Sequence, residues 1–324
     1  MREFAFELAL CAHLESRTDG VVARQLGGSV HAPANRVLDV VVVEPGPAFD
    51  ERTAITPHSI PALAIESAVG TGKGRYWRTA IDAHPDVARR VVDRAVEIGF
   101  FERERRGGRA YVRQATRYPD WFGEITAIEN KPDLGTPGDL ERQLRLDVSL
   151  GLVDEVILAT ESYVTGAHLN RIPEAVGVWR FDPDADATER IEVIREPTSL
   201  DPTQTGVELV DERPLRTDVA LVDPTAKARK RRRLAERAYG KGWRTYAFPA
   251  CAKATVESAA GASLPHCRWA DAVVDAAHCG ADCPGFEAAS APDVDLERER
   301  ADRTPWVADP DGLVRQQSGL DRYT

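Results

Sequence analysis

The pattern of apolar and polar positions along the chain predicts a helix, then a buried strand, and further on a second such strand. Apolar residues recur at helical spacing over residues 3–17. Residues 37–43 and 122–128 are short runs rich in apolar and β-branched side chains, as buried strands are. A further helix is predicted over 139–150 and a further strand over 154–160. This order predicts an α/β fold.

The segment between the first two strands is far longer than a strand connection needs, and it predicts a domain inserted at 51–114. Helices are predicted at 59–69, 76–83 and 85–99, and a hairpin follows around Gly107-Gly108. This arrangement resembles a winged helix, which implies a third helix in the DNA major groove and a hairpin on the backbone. The arginines expected to contact DNA are Arg89, Arg90, Arg94, Arg103, Arg105, Arg106 and Arg109. The alternative is a protein-binding winged helix whose arginines are solvated or paired to Glu102 and Glu104.

The rest of the chain divides by pattern into several parts. Residues 1–50 and 115–200 are the two parts of the predicted core, and the second contains a hairpin at 176–194. Residues 201–247 predict a linker and then a basic helix from Thr225, in which Lys230, Arg231 and Arg232 are candidates for phosphate contact. The charged tail at 287–324 is low in aliphatic residues and is predicted to be disordered or docked only through Trp306.

Composition limits the possible partners. The net charge is −10 and the pI about 5.3, so any DNA-binding surface must be a local patch. The scarcity of lysine, the acidic excess and the single methionine resemble the proteins of a haloarchaeal family. The first residues do not form a signal peptide, and no apolar run approaches the roughly 20 residues that span a bilayer. A cytoplasmic protein without a membrane partner is therefore expected, with reduced cysteines.

The triplet Glu129-Asn130-Lys131 carries the candidate chemistry. Glu129 and Lys131 are two positions apart at a strand end, so they are predicted to share a face of the sheet. Asp39 lies near the start of the upstream strand. Two carboxylates suit a hard divalent ion, and a lysine beside them suits the orientation of an attacking water. The alternative is a surface ion pair at a strand end.

The order of helix, Asp strand, E-x-K strand, helix and strand resembles the PD-(D/E)xK nuclease superfamily over residues 1–50 and 115–180. Gln143 resembles the first residue of the Q-x-x-x-Y motif of its RecB-type members, although Asp147 replaces the tyrosine and Leu38 the proline of the "PD" pair. The resemblance implies Mg²⁺- or Mn²⁺-dependent cleavage of DNA. It implies that Asp39 and Glu129 bind the ion with support from Glu7, while Lys131 and Gln143 act on the water or phosphate.

A third feature is a cluster of four cysteines in residues 248–286. Four soft ligands in a reducing compartment predict a structural metal centre, with zinc and a [4Fe–4S] cluster both open. Some RecB-type nucleases have a four-cysteine cluster, but there one ligand precedes the nuclease motifs, and here only Cys11 does so. The alternative is four unligated thiols. The cysteines of the cluster are Cys251, Cys267, Cys279 and Cys283.

Together these features predict an α/β metal-dependent deoxyribonuclease with an inserted winged helix and a cysteine-bound metal module. The alternative is a non-catalytic DNA-binding or regulatory protein on a degenerate nuclease core. A third possibility is an accidental E-x-K match in a zinc-bearing winged-helix regulator.

Overall fold

A computed structural model of the chain describes residues 2–32, 35–304 and 306. The fold is mixed α/β with several separate sheets. The chain divides into two compact units. Of the described residues, the first contains those of 2–45 and 123–304, and the second contains residues 46–122 and Trp306. Most of the second unit coincides with the segment predicted as an insertion.

In chain order, the strands of the described residues are β1 (Val21–Gly27), β2 (Val37–Pro45), β3 (Arg75–Tyr76), β4 (Phe101–Arg106), β5 (Arg109–Gln114), β6 (Phe122–Asn130), β7 (Glu155–Thr160), β8 (Gly177–Phe181), β9 (Ile191–Arg195), β10 (Gly206–Arg213), β11 (Arg216–Val222), β12 (Ala254–Ala259), β13 (Ala262–Cys267) and β14 (Ala272–Val273). The α-helices of the same residues are α1 (Glu3–Glu15), α2 (Phe49–Thr53), α3 (Ala62–Ile65), α4 (Trp77–Ala80), α5 (Pro85–Glu97), α6 (Leu140–Leu150), α7 (Gly166–Leu169), α8 (Pro224–Lys241) and α9 (Leu296–Arg303), and a 3-10 turn covers Ala276–His278.

The first unit is built on a six-stranded sheet of order β1-β2-β6-β7-β8-β9. β6, β7 and β8 run parallel, while β1 pairs antiparallel with β2, and β9 with β8. The parallel strands and β2 are rich in Val, Ile and Leu because helices or loops cover both of their faces. The three strands predicted at 37–43, 122–128 and 154–160 are therefore immediate neighbours in the sheet.

The core of the first unit lies between α1 and one face of the sheet. α1 is buried on nearly every side, which explains why nine of its thirteen residues are apolar. Phe6, Leu8 and Leu10 are fully buried and pack with strand residues of the same face, among them Val40, Val42 and Ile128. α6 ends at Gly151, whose φ of +53° closes the helix at little steric cost.

The second unit packs its short helices on a three-stranded sheet of order β3-β5-β4. α5 begins at Pro85, which is compatible with a first helical turn, and it buries Ala88, Val92 and Ala95 against Phe100 and Phe101. β4 and β5 form the predicted hairpin, whose two glycines, Gly107 and Gly108, have positive φ. The helix predicted at 59–69 is much shorter and is limited to α3.

The chain after residue 200 differs from its prediction in two places. The segment expected to be a linker forms the antiparallel hairpin β10–β11. The tail that was expected to be disordered or docked only through Trp306 contains α9, whose Glu299 binds Arg244. Trp306 is buried, and residues 305 and 307–324 lie outside the described residues. α8 begins at Pro224 with Asp223 as its cap, since Asp223 Oδ1 accepts the Ala226 N–H at 2.9 Å. No helix among the described residues is both long and apolar enough to cross a membrane.

Candidate functional site

Asp39 on β2 and Glu129 on β6 project from the same face of the sheet. Their neighbours Val40 and Ile128 point into the core beneath α1. Side chains alternate along a strand, so Asp39 and Glu129 point away from α1. Glu129 is 5% exposed, and so it is a buried carboxylate on a central strand.

Asp39 also reaches the peptide that joins Glu129 to its neighbour. Its Oδ2 accepts the Asn130 N–H at 3.1 Å, and its Oδ1 lies 3.4 Å from Gln25 Nε2. The same Gln25 nitrogen donates to Glu7 Oε2 at 2.9 Å, and Asn130 Nδ2 donates to that oxygen at 2.9 Å. Glu7 is on α1, and therefore on the other side of the sheet from Glu129. The side chains of Gln25 and Asn130 connect the two sides at the strand ends.

Gln25 holds this position through an unusual backbone conformation. Its φ is +54°, and it interrupts the β1–β2 ladder opposite Asp39, between the pairs Arg24–Val40 and Leu26–Leu38. A positive φ is costly for a residue with a side chain and persists only where the surroundings hold it. Lys241 supplies part of this support, because its Nζ donates to the carbonyl oxygens of Arg24 and Gln25 at 2.7 Å each.

A buried arginine connects Glu129 to α6. Arg36 NH2 donates to Glu129 Oε2 at 2.6 Å and to Asp147 Oδ2 at 2.6 Å, and its Nε lies 2.9 Å from Asp147 Oδ1. All three side chains are less than a tenth exposed. Arg36 also pairs through one of its nitrogens with the carbonyl of Val37. Asp147 occupies the place of the motif tyrosine, and it anchors the arginine that binds Glu129.

Burial and mutual repulsion disfavour the ionised forms of both sheet carboxylates. Burial, followed by the charge of Asp39, raises the pKa of Glu129 to about 8 although Arg36 opposes the shift. Burial is also the largest cause for Asp39, whose pKa rises to about 6 with a further contribution from Glu7. The pair therefore forms a site of concentrated negative potential that a cation would stabilise.

Lys131 and Gln143 lie at the periphery of this cluster. Lys131 directly follows β6 and is about a quarter exposed, with its Nζ 3.6 Å from Glu3 Oε2. Gln143 is half-buried on α6, one turn before Asp147. Among the described residues, the Gln143 amide makes no hydrogen bond to Lys131. The structure thus brings Asp39 close to Glu129 on one side of the sheet, links Asp39 through Gln25 to Glu7 on the other side, and leaves Gln143 apart.

The carboxylates of this cluster are the type of ligand that a hard divalent ion prefers. In the part of the chain that the structure describes, no group of three or more His, Cys, Asp or Glu side chains is arranged to hold a metal ion. Guanidinium and amide groups engage the carboxylates instead: Arg24 binds Glu7, and Arg36 binds Glu129. Asn130 Oδ1 is buried and has no hydrogen-bond partner among the described residues. An amide oxygen beside carboxylates matches the oxygen donors that Mg²⁺ and Mn²⁺ prefer.

Most of the arginines predicted to bind DNA already have a local partner. Arg94 binds Glu97 at 3.0 Å, Arg106 binds Glu104 at 2.6 Å, and Arg103 pairs with Asp93. Arg89 and Arg109 lie over the rings of Trp77 and Tyr76. Arg90 and Arg105 have no acidic partner among the described residues.

The basic helix α8 is partly structural. Arg231 donates to Asp154 Oδ2 at 2.7 Å and to the Leu152 carbonyl at 2.9 Å, so it fixes α8 to the start of β7. Lys230 is half-buried, and burial followed by nearby arginines lowers its pKa. Arg232 is exposed.

The four cysteines of the C-terminal segment are electrostatic neighbours. Burial raises the pKa of Cys279, and the other three sulfurs raise it further. Cys251 Sγ accepts the Lys253 N–H at 3.5 Å, and backbone N–H groups lower the pKa of Cys251. Cys267 ends β13, while Cys283 lies in the loop after the 3-10 turn. All are free thiols. Cys11 lies apart from them in the α1 core.

Sequence reasoning missed Arg24, Gln25, Arg36, Asp147 and Lys241. For Asp147 a signal existed: a charged residue on the apolar stripe of a predicted helix needs a buried partner. The conformation of Gln25 had no sequence signal, because it depends on contacts with α1 and α8.

Residues 21–288 match a family of unknown function, DUF5787. The match covers most of the chain, and the protein therefore belongs to this family. No curated protein and no solved structure matches the chain.

Proposed function

We propose that the protein is a metal-dependent nuclease that hydrolyses phosphodiester bonds of DNA. The observation that carries the proposal is the contact between Asp39 Oδ2 and the Asn130 N–H at 3.1 Å. This contact places the Asp39 carboxylate against the backbone of Asn130, the residue between Glu129 and Lys131. Two strands far apart in sequence thus present two acids and a lysine at one end of the sheet, which is the combination that this hydrolysis uses.

The donor set supports a hard ion such as Mg²⁺ or Mn²⁺. Asp39 and Glu129 would hold it, while Glu7 and the free oxygen of Asn130, on the α1 side of the sheet, would support the site from the strand ends. When bound, such an ion supplies charge neutralisation for the phosphoryl oxygens and lowers the pKa of a bound water. The raised pKa values of the two acids support this assignment, since repulsion between them favours a cation.

The residues of the chain itself have distinct proposed roles. Lys131 is accessible at the rim, where its ammonium can orient a water or bind a phosphate oxygen. Arg36 and Asp147 keep the Glu129 carboxylate in place, and Gln25 keeps Asp39 and Glu7 together. Gln143 lies at the edge of the cluster, where it can reach the DNA backbone rather than Lys131.

DNA contact is assigned to the second unit. A strand before α4 and α5, followed by a hairpin that pairs with that strand, supports the interpretation of this unit as a winged helix. Residues 46–122 contain thirteen arginines and lysines against ten acids, although the whole chain carries −10. A local positive excess of this kind favours a polyanion. Arg90, Arg105, Arg232 and Lys230 are further candidates for phosphate contact.

We also propose that the four cysteines of the C-terminal segment bind a metal ion. The N–H group that contacts Cys251 favours a thiolate there, and a bound cation would relieve the repulsion by which the other three sulfurs raise the pKa of Cys279. Four soft sulfur donors suit zinc or an iron–sulfur cluster, and a structural role is favoured because this donor set leaves no position for substrate.

The experiment compares two glutamates of β6. Glu129→Gln removes the buried acid, and Glu124→Gln changes an exposed glutamate on the same strand. Purified full-length protein is incubated at high salt with single-stranded, double-stranded and branched DNA, with and without Mg²⁺. We expect Mg²⁺-dependent cleavage by the wild type and Glu124→Gln, and none by Glu129→Gln. Equal cleavage by both variants would place any activity elsewhere.

A second variant separates catalysis from binding. Lys131→Ala should slow cleavage by about 10²- to 10⁴-fold while DNA affinity changes little, because the lysine acts on the transition state. An equal loss of affinity and rate would assign Lys131 to binding.

The engagement of Glu129 by Arg36 favours one other candidate, a DNA-binding protein without catalysis. In that case the arginine takes the place of the metal permanently. DNA binding with no cleavage of any substrate, and no uptake of Mg²⁺ or Mn²⁺ in calorimetry, would select this candidate.

A further inference from the structure

The outer face of the three-stranded sheet of the second unit carries two tyrosines side by side. Tyr76 on β3 is paired directly with Tyr111 on β5, and the ring centroids are 6.0 Å apart. Val112 is buried in the core, so Tyr111, one residue earlier, points to the opposite face. Both rings are partly exposed.

Arginines cover these rings. The Arg109 guanidinium lies 5.8 Å from the Tyr76 centroid, and that of Arg106 lies 5.8 Å from the Tyr111 centroid. The adjacent Trp77 ring has Arg78 at 5.4 Å and Arg89 at 5.7 Å. Significant pairs of this type occur roughly once per 70–80 residues. Four within residues 46–122 is several times that frequency, which points to a role beyond local stability.

Charge on this face favours an anion. Glu104 pairs with Arg106 and Glu102 with Arg113, so the two acids of β4 are neutralised. Arg109 has no acidic partner among the described residues and contacts only a ring. It is therefore available to a phosphate at the same place where Tyr76 offers a flat apolar surface.

We propose that this face, defined by Tyr76, Tyr111, Arg106 and Arg109, binds unpaired bases of a DNA strand. Bases stack on tyrosine rings without regard to sequence, and Arg109, displaced from the ring of Tyr76, binds an adjoining phosphate. The inference rests on the proposed DNA function and specifies its substrate. α5 and the hairpin would contact a duplex, and the tyrosine face would take the single strand that leaves it. The preferred substrate is then DNA with a single-stranded extension rather than a blunt duplex.

The test measures binding in EDTA, so cleavage does not interfere. Full-length protein is titrated into a blunt duplex and into the same duplex with a single-stranded extension containing 2-aminopurine. Tyr76→Leu and Tyr111→Leu remove a ring but keep an apolar side chain, and Tyr111→Phe keeps the ring. Tyr163→Leu is the control, because Tyr163 is 77% exposed and lies in the first unit. Arg109→Gln removes the charge proposed to bind phosphate but leaves both tyrosine rings. Thermal unfolding checks that each variant folds.

We expect the wild type to bind the extended duplex more tightly and to quench 2-aminopurine. Each Leu variant should lose about tenfold in affinity for the extended duplex only, while Tyr111→Phe and Tyr163→Leu retain it. Equal wild-type affinity for both duplexes, an equal loss on both, or tighter binding of single-stranded RNA of the same sequence would overturn the proposal. Addition of Mg²⁺ in a parallel arm tests cleavage. If the protein binds the extended duplex selectively but does not cleave it, the proposed nuclease activity is rejected and the proposed base-binding face is kept.

Discussion

At the residue scale, the proposed site is a set of buried carboxylates that are already compensated. Arg24 binds Glu7, and Arg36 binds both Glu129 and Asp147. A buried carboxylate without a partner is strongly destabilising, so these cations are needed for folding in the absence of metal. A bound metal ion and the arginines would thus both neutralise the charge of the buried carboxylates.

Replacement of Arg36 tests this compensation. Arg36→Met leaves Asp147 and Glu129 buried without their cation, and we expect a loss of about 3–5 kcal/mol in the free energy of unfolding. The matched control is Arg142→Met, because Arg142 and Glu212 are each 47% exposed and such pairs contribute about 0–1 kcal/mol. Urea denaturation measures both. A change below about 1 kcal/mol for Arg36→Met would show that the network does not stabilise the fold.

The raised pKa of Glu129 predicts a dependence of stability on pH. Its pKa is about 8 in the folded protein against an ordinary value of 4.5, so the folded state holds the proton more firmly. The corresponding stability is complete below pH 4.5 and is lost as the pH rises towards 8. Without divalent ions, the wild type should lose at least about 1 kcal/mol more than Glu129→Gln between pH 5 and pH 8. Parallel losses in the two proteins would contradict the assignment.

At the element scale, the positions of the functional groups depend on irregular elements. β1 presents Gln25 to two acids only because the strand is distorted there, and Lys241 from the end of α8 supports the distortion. The cysteines likewise come from loops and strand ends around the small sheet of β12, β13 and β14. Regular strands and helices provide the frame, and departures from regularity position the side chains.

A metal analysis tests the cysteine segment. Protein purified without added metal should contain zinc if the cysteines bind a zinc ion. If they bind an iron–sulfur cluster, the protein should contain iron and absorb near 400 nm. Cys279→Ser should lose the metal and lower the melting temperature, because a structural metal contributes directly to folding. Cys11→Ala is the control, since Cys11 lies in the α1 core. The cysteine metal site would be rejected if the purified wild-type protein contains no metal and if a chelator leaves its melting temperature unchanged.

At the scale of the whole molecule, charge is unevenly distributed. The chain carries −10, yet residues 46–122 have three more basic than acidic side chains. The remaining residues are therefore the acidic part and would repel DNA. Binding should depend on a few arginines of the second unit, and it should weaken steeply with salt.

The salt dependence of DNA affinity measures this contribution. Arg105→Ala should lower affinity and reduce the slope of log K against log salt by about one, the effect of one lost phosphate contact. Arg213→Ala in the first unit should leave the slope unchanged, because Arg213 is exposed and pairs with Asp211. Titrations at several salt concentrations suffice. Equal slopes for the wild type and Arg105→Ala would exclude contact at the hairpin.

The sequence by itself determined the elements that depend on local patterns. Apolar spacing predicted α1, α6 and the strands β2, β6 and β7 within a few residues, and the two glycines after Arg106 predicted the β4–β5 turn. Helix periods, caps and turn residues act between neighbours in the chain, so they can be read from it. Where the pattern was weak, as at 201–218, the hairpin β10–β11 was mistaken for a linker.

Only the tertiary structure decided how the charged side chains are matched. Arg36 and Asp147 are 111 positions apart and meet because α6, which packs against β7 and β10, comes close to the residue before β2. The positive φ of Gln25 and its bond to Glu7 likewise depend on α1 and α8. The cause is physical: the strength of a buried ion pair or a strained turn depends on burial and on partners brought close by folding, and neither is a property of local sequence.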